Sequence, residues 1–244
     1  MLFLNTRIRP LSPSSEHHLK RLQVESHHLP LLTIQPANCH QIARFNAIAW
    51  HLYDALVFTS PPSVEAALAI RPLPTYLPYF AMGPQTQQAL KQIGIEAVAP
   101  QQIPGTLALA KQLTMQLTGS KSLLIVTGSP INPLLEDALV AANFAVHCVD
   151  LYTRLVDPDQ TINIKQTLKN AQSCVLLITS MTTLNAIAHA LPSQDHIDHC
   201  TLLVISDRLA KAARTYWRGR LHIAADASDA ALIAAIESLG PFQS

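Results

Sequence analysis

The chain has 244 residues, a formal charge of +1 at pH 7, 49% apolar residues and 14% charged ones. That length makes one large domain or two small ones, either with a sizeable core. The balance excludes a disordered chain and a protein that coats nucleic acid through a global positive field, so an anionic ligand must be held by local basic groups or backbone amides.

Short apolar runs rich in β-branched residues alternate with longer amphipathic stretches, the pattern of βα units in a parallel sheet covered on both faces. Strands are predicted at 2–6, 30–34, 53–58, 78–82, 95–98, 121–126, 144–151, 173–178, 201–205 and 221–224, and ten strands make two sheets of five. Helices are predicted between them at 14–28, 38–51, 62–70, 84–93, 104–117, 132–143, 159–170, 181–190, 207–217 and 228–239. Pro84 stands in a first turn, and Ser228 with Asp229, and Ser206 with Asp207, precede helical patterns as caps.

The opening "MLFLNTRIRP" is too short in its apolar part for a signal peptide and carries Arg7 and Arg9 after that part instead of before it. No run approaches the roughly 18 apolar residues of a spanning helix, so a soluble protein is expected. Cys39, Cys148, Cys174 and Cys200 form no CxxC pair, which fits a reducing, cytoplasmic setting. GxGxxG, GxxxxGK[ST], GxSxG and HExxH are all absent from the sequence, and its seven glycines leave little for a phosphate-wrapping loop. "DHIDHC" (195–200) has metal-ligand residue types but reads as a solvated connector, and His17, His18, His27 and His28 read as a polar helix surface; no metal and no cofactor are expected. Aromatic residues make up 5%, too few to stack nucleic-acid bases.

Aligned with itself, the chain places "LFLNT" (2–6) over "LLIVT" (123–127), "ALVFTS" (55–60) over "VLLITS" (175–180), and "AMGPQTQQAL" (81–90) over "VISDRLAKAA" (204–213). "TLALAKQL" falls opposite "AALIAAI" at a similar spacing, which implies a duplicated α/β unit of about half the chain. Two such units imply a cleft with binding at the carboxyl ends of the strands. There lie "TRIRP", "TSPPS", "MGPQT", "TGSP", "TSMTT" and "SDRL", hydroxyl-rich segments that mostly precede helices. Free amides and the positive dipole end at each helix start would cradle carboxylates or phosphates.

With these segments in place the chain resembles the uroporphyrinogen-III synthase family. The likeness rests on "LNTR", "YDALVFTSPPSVEAAL" (53–68), "AMGPQTQQALKQIGI" (81–95), "VHCVDLYTR" (146–154), "VLLITSMTTLNAI" (175–187), "ISDRLAKAA" and "HIAADASDAALIAAI", in the family's order over nearly the whole length. It implies two flavodoxin-like parallel five-stranded sheets with flanking helices, joined by a two-stranded linker. One domain is then 1–35 plus 154–244 and the other 36–153, with crossings at "LTIQP" and "DLYTRLV".

The implied activity is that of a hydro-lyase of tetrapyrrole and haem biosynthesis. Hydroxymethylbilane, a linear tetrapyrrole with many carboxylates, loses its terminal hydroxyl as an azafulvene cation forms, and closes through a spiro intermediate with the last pyrrole inverted. The demand is then largely conformational, which accords with the missing triad, metal and acid–base dyad. Tyr152 matches the family's tyrosine and is a candidate proton donor, or alternatively an aromatic packed at the domain junction. Arg7, Arg154 and Arg208 are candidates for the carboxylates, with Thr59, Ser60, Gly83, Thr86, Gly128, Ser129, Thr179 and Ser180 at the helix starts, where capping is the competing role. Arg9 and Lys211 read as solvated charges. The partner implied is the small-molecule substrate, with no nucleic acid or membrane, in a monomer that touches the preceding enzyme of its pathway only transiently. Departures stand at "TGSPINPLL", where Asn132 and Pro133 replace expected charges, and at "SDRL", which replaces a GPxT type. They leave open a non-catalytic two-lobed binder of a polycarboxylate.

Overall fold

The computed structural model describes residues 1–100, 105–119, 121–191 and 198–240. The chain divides into unit 1, Met1–Thr33 with Leu155–Ser244, and unit 2, Ile34–Arg154. It opens with β1 (Leu2–Asn5), α1 (Pro13–Arg21), β2 (Glu25–His28), β3 (Leu32–Pro36) and α2 (Cys39–Asn46). After a 3-10 turn at Trp50–Leu52 come β4 (Ala55–Phe58), α3 (Pro61–Ile70), β5 (Tyr79–Ala81), α4 (Pro84–Lys91), β6 (Ala97–Val98), α5 (Thr106–Gln116), β7 (Ser122–Ser129) and α6 (Pro133–Ala141). The last part holds β8 (Ala145–Val156), α7 (Pro158–Asn170), β9 (Cys174–Ile178), α8 (Met181–Ala190), β10 (Cys200–Val204), α9 (Asp207–Ala213), β11 (Arg220–Ile223) and α10 (Asp229–Ser238).

One sheet runs β11-β10-β9-β1-β2 and the other β3-β8-β7-β4-β5-β6, so the expected pair of five-stranded sheets is corrected to five and six strands. The additional strand is β3, the segment "LTIQP" expected to act as a connector, which hydrogen-bonds along the edge of β8. The pairings of β1, β2, β9, β10 and β11 in the first sheet and of β4 to β8 in the second are parallel.

Overlaying the duplicated segments explains both orders. β1 corresponds to β7, β9 to β4 and β10 to β5 by the alignment, so β2-β1-β9-β10-β11 repeats β8-β7-β4-β5-β6 strand for strand. The faces repeat as well. Leu56 and Phe58 of β4 pack with Phe45, Val64 and Leu90 under α2, α3 and α4. Their counterparts Leu176 and Ile178 of β9 pack with Leu168, Leu184 and Leu209 under α7, α8 and α9. On the opposite faces Val57 meets Leu109 and Leu139 of α5 and α6, and Leu177 meets Leu232 and Leu19 of α10 and α1. Strands covered on both faces read as continuous apolar runs, and β4, β9 and β10 are buried at every position.

Local chemistry sets the element ends. Pro13, Pro61, Pro84, Pro133 and Pro158 each open a helix, where the missing N–H has no intrahelical use. The helix predicted over 14–28 stops at Arg21 because Gln23 takes a left-handed φ of 59°, and Val24 N–H closes the end by donating to Leu19 O at 2.9 Å. The next residues, "ESHH", then form β2 against β1 with Leu4 opposite His27.

Candidate active site at the carboxyl ends of the strands

In unit 2 the carboxyl ends of β4 and β7 lie side by side, with Phe58 beside Val126. One step further, Thr59 Oγ1 donates to Thr127 Oγ1 at 2.8 Å. Between Thr127 and Ser129 the pairing slips: Thr127 faces Asp150 and Ser129 faces Thr153, so β8 carries one residue more than β7 over this stretch. The bulge delivers the Tyr152 side chain onto Gly128. A Cβ at Gly128 would overlap the Tyr152 ring carbons, so only glycine leaves the ring its place.

Tyr152 is 1% exposed and its hydroxyl is bonded twice. The Arg154 guanidinium donates to it through Nη2, which leaves the single phenolic proton to be shared with Ser60 Oγ at 2.9 Å. Arg154 also lies 5.1 Å from the ring centroid. Ser60 in turn caps α3, its Oγ accepting from Ser63 N–H at 3.3 Å. Thr59, Thr127, Gly128 and Arg154 line a pocket of about 170 Å³ that opens beside them. Glu136 and Cys148, to which the sequence assigned no role, also line it; nothing in a helical pattern marks which carboxylate will face a pocket. The Cys148 thiol donates to Glu136 Oε2 at 3.5 Å and its pKa is pushed up to about 12, first by burial and then by the neighbouring carboxylate.

The expected amide cradles are unequal. At α3 both first positions are Pro61 and Pro62, and the third amide is taken by Ser60, so Thr59 and Ser60 offer hydroxyls but the helix start offers no free first-turn amide. This corrects the reading of "TSPPS" as a backbone cradle. At α4, Gly83 brings no side-chain cap, and the Gln85 and Thr86 amides have no hydrogen bond among the described residues. Thr86 itself is 3% exposed. At α6 the Leu134 amide is consumed by Asn132 Oδ1 at 3.2 Å, while Ser129 belongs to β7 and precedes a cis peptide to Pro130.

Unit 1 repeats the construction with different donors. Thr179 and Ser180 follow β9 as Thr59 and Ser60 follow β4, and Ser180 Oγ accepts from Thr183 N–H at 3.1 Å. Here no proline intervenes, so the Met181 and Thr182 amides stay unbonded among the described residues. Thr6, the counterpart of Thr127, donates to Leu177 O at 2.5 Å. Arg208 is exposed near the start of α9 and makes no ion pair or hydrogen bond among the described residues.

Arg7 is different. Its Nε donates to Asn5 Oδ1 at 3.2 Å, Nη1 to Ala227 O at 2.8 Å and Nη2 to Asp229 Oδ1 at 2.8 Å, with the side chain 13% exposed. Of its five N–H groups one ties back to the end of β1 and two brace the start of α10, and two remain for any ligand. Burial raises the Asp229 carboxyl, but the Ser12 amide, the Arg7 guanidinium and Ser15 outweigh it and hold it below the usual range.

The histidines face other groups: His18 Nε2 contacts Glu237 Oε1 at 2.8 Å, His27 Nε2 contacts Glu25 Oε1 at 2.7 Å, and His28 Nε2 contacts Arg7 O at 2.8 Å. Of "DHIDHC", Asp195 and His196 lie outside the described residues, Cys200 is buried in the core, and His199 Nε2 donates to Leu168 O at 2.8 Å. Among the described residues no helix is long and apolar enough to cross a membrane.

Two α/β units with one strand order repeated, one of them assembled from both ends of the chain, with hydroxyl and amide donors at the strand ends, define a duplicated two-unit α/β protein with a polar site. Residues 14–234 match the family described as Uroporphyrinogen-III synthase HemD. The uroporphyrinogen-III synthase of Escherichia coli (strain K12) is 26% identical over 97% of this chain and 100% of its own. Among solved structures, uroporphyrinogen-III synthetase from Helicobacter pylori has a TM-score of 0.68 at 15% identity, covering 98% of this chain and 99% of its own. A mutant uroporphyrinogen III synthase from the extremely thermophilic bacterium Thermus thermophilus has a TM-score of 0.63 at 16% identity, covering 98% of both chains. The chain belongs to the uroporphyrinogen-III synthase family.

Proposed function

We propose that the chain closes hydroxymethylbilane to uroporphyrinogen III with inversion of the terminal pyrrole, in haem biosynthesis, and that the Tyr152–Ser60–Arg154 cluster serves the loss of hydroxide. Family membership along 14–234 carries the reaction, and the bonded, buried tyrosine above Gly128 carries the assignment of the site.

Hydroxide leaves the terminal carbon as the pyrrole nitrogen lone pair forms the azafulvene, so the departing oxygen needs a proton. Tyr152 is buried, whereas Ser60 is half-buried. Because Arg154 already donates to the phenol oxygen, the phenol proton points toward Ser60 Oγ, and the Ser60 O–H is then directed outward to the leaving oxygen. Proton delivery therefore runs from Tyr152 through Ser60. Within unit 2 the acidic arms are held by the unbonded amides at the start of α4, by the Thr127 hydroxyl, whose own proton is free because Thr59 donates to it, and by the remaining N–H groups of Arg154; within unit 1 the same kinds of donor stand at the start of α8, at Thr179 and at Arg208. The pocket of about 170 Å³ holds roughly the volume of five or six waters, room for a single acidic arm of the substrate. Holding an arm at fixed donors restrains the chain end toward the folded-back conformation that inverted closure needs.

The test is the rate of type III product from fresh hydroxymethylbilane. Tyr152→Phe and Ser60→Ala are each expected to lower turnover about tenfold or more. Because they act on one proton path, the double variant should be no slower than the worse single one. Multiplicative losses, or unchanged rates, would remove the relay.

A further inference from the structure

We propose that unit 1 carries a second binding site, for a small molecule bearing two or more phosphate or carboxylate charges, at the amino-terminal edge of its sheet. That edge lies at the opposite end of the strands from Thr179 and Ser180. A cavity of about 570 Å³ opens there, walled by the first residues of β9, β10 and β11 and by the chain after α9.

The lining is one-signed. Arg214 and Arg220 both face it, and the described residues that line it include no aspartate or glutamate. The Arg220 guanidinium has no hydrogen bond or ion pair among the described residues, and Arg214 commits only Nη1, to Gly219 O at 3.4 Å. Two planar forks with most of their donors unused, facing one cavity, match oxyanions that accept in pairs. Thr201 adds an independent sign. It lines the cavity, and its hydroxyl makes no hydrogen bond among the described residues, so it is a donor available to a ligand there.

The two histidines of the wall are fixed as supports. His199 Nε2 must carry its proton, because its partner is the Leu168 carbonyl. His222 Nε2 must also donate, because Ser238 Oγ spends its own proton on Ala235 O at 2.7 Å and accepts from the ring at 3.0 Å. The permanently charged side chains that line the cavity are the two arginines, and a dianion balances that pair.

The chemistry is shared by polyphosphates and small polycarboxylates, and calorimetry on the whole chain separates them with inorganic pyrophosphate in one titration and citrate in the other. At low ionic strength one of the two is expected to bind with one-site stoichiometry and a Kd under about 1 mM. Arg214→Gln with Arg220→Gln should weaken that binding at least about tenfold, and Thr201→Val by a smaller factor. Type III product formation and the unfolding temperature of the double variant should be unchanged, and Arg154→Gln, at the other site, should leave the titration as it was. The proposal is overturned if neither anion produces heat with the folded protein, or if the double variant binds as tightly as the parent.

Discussion

Gly128 and Tyr152 act as one structural unit, since the ring occupies the space a Cβ would need. Gly128→Ala is expected to destabilise the protein by about 1–3 kcal/mol and to slow type III formation as the ring is displaced. In a Tyr152→Ala background the same substitution should cost far less stability, a non-additivity that chemical denaturation would measure. Asp229 is the second residue with a definite expectation. Its folded carboxyl lies below its unfolded value, so the stability it adds is present above the unfolded pKa of about 3.9 and is lost as pH falls through the folded pKa. Asp229→Asn should therefore cost about 1–3 kcal/mol at pH 7, with the gap to the parent closing below about pH 4. A gap that stays constant as the pH falls through the acid range would contradict this account. Of the residues taken from the sequence, Arg7 shows best what a linear reading misses: its partners Ala227 and Asp229 lie more than two hundred positions away, and no local pattern announces them.

Helix starts form the repeating element of this fold, and Ser60, Ser180 and Ser206 cap them with the same extended backbone. Removing any of these hydroxyls should cost about 1 kcal/mol. Only Ser60 also touches Tyr152, so Ser60→Ala should lose activity while Ser206→Ala loses stability alone; equal effects on turnover would separate the cap from the chemistry. Strands with both faces covered were legible because burial makes them continuously apolar, as in "CVLLI" and "CTLLV". β2 was not, because "ESHH" is a mostly exposed edge strand held by backbone bonds to β1 and has no apolar signal to show. β3 was legible as a strand, but its place on the edge of β8 depends on where the chain returns, which lies outside any local window. The two prolines that silence the α3 amides were visible in "TSPPS" all along, since the absence of a donor on proline needs no structure.

At the scale of the whole chain, one duplicated unit is continuous and the other is not. Unit 2 owns β4 to β8 in one stretch, whereas β1 must find β9, with Leu2 opposite Cys174. A fragment spanning 32–156 is therefore expected to unfold cooperatively on heating, followed by circular dichroism. A fragment ending at 156 that begins at Met1 should leave 1–31 without its sheet and add no further transition. The exchange also explains why the internal alignment alone divides the chain near its middle: the repeat lies in the sequence, but the pairing of its first strands lies in the tertiary structure.

The central claim is that this fold closes a reactive linear tetrapyrrole in the inverted sense. Freshly prepared hydroxymethylbilane, incubated with the protein and oxidised for chromatography, should yield predominantly the type III isomer at a rate above spontaneous closure. Type I product alone, with protein that is folded by circular dichroism, would contradict it.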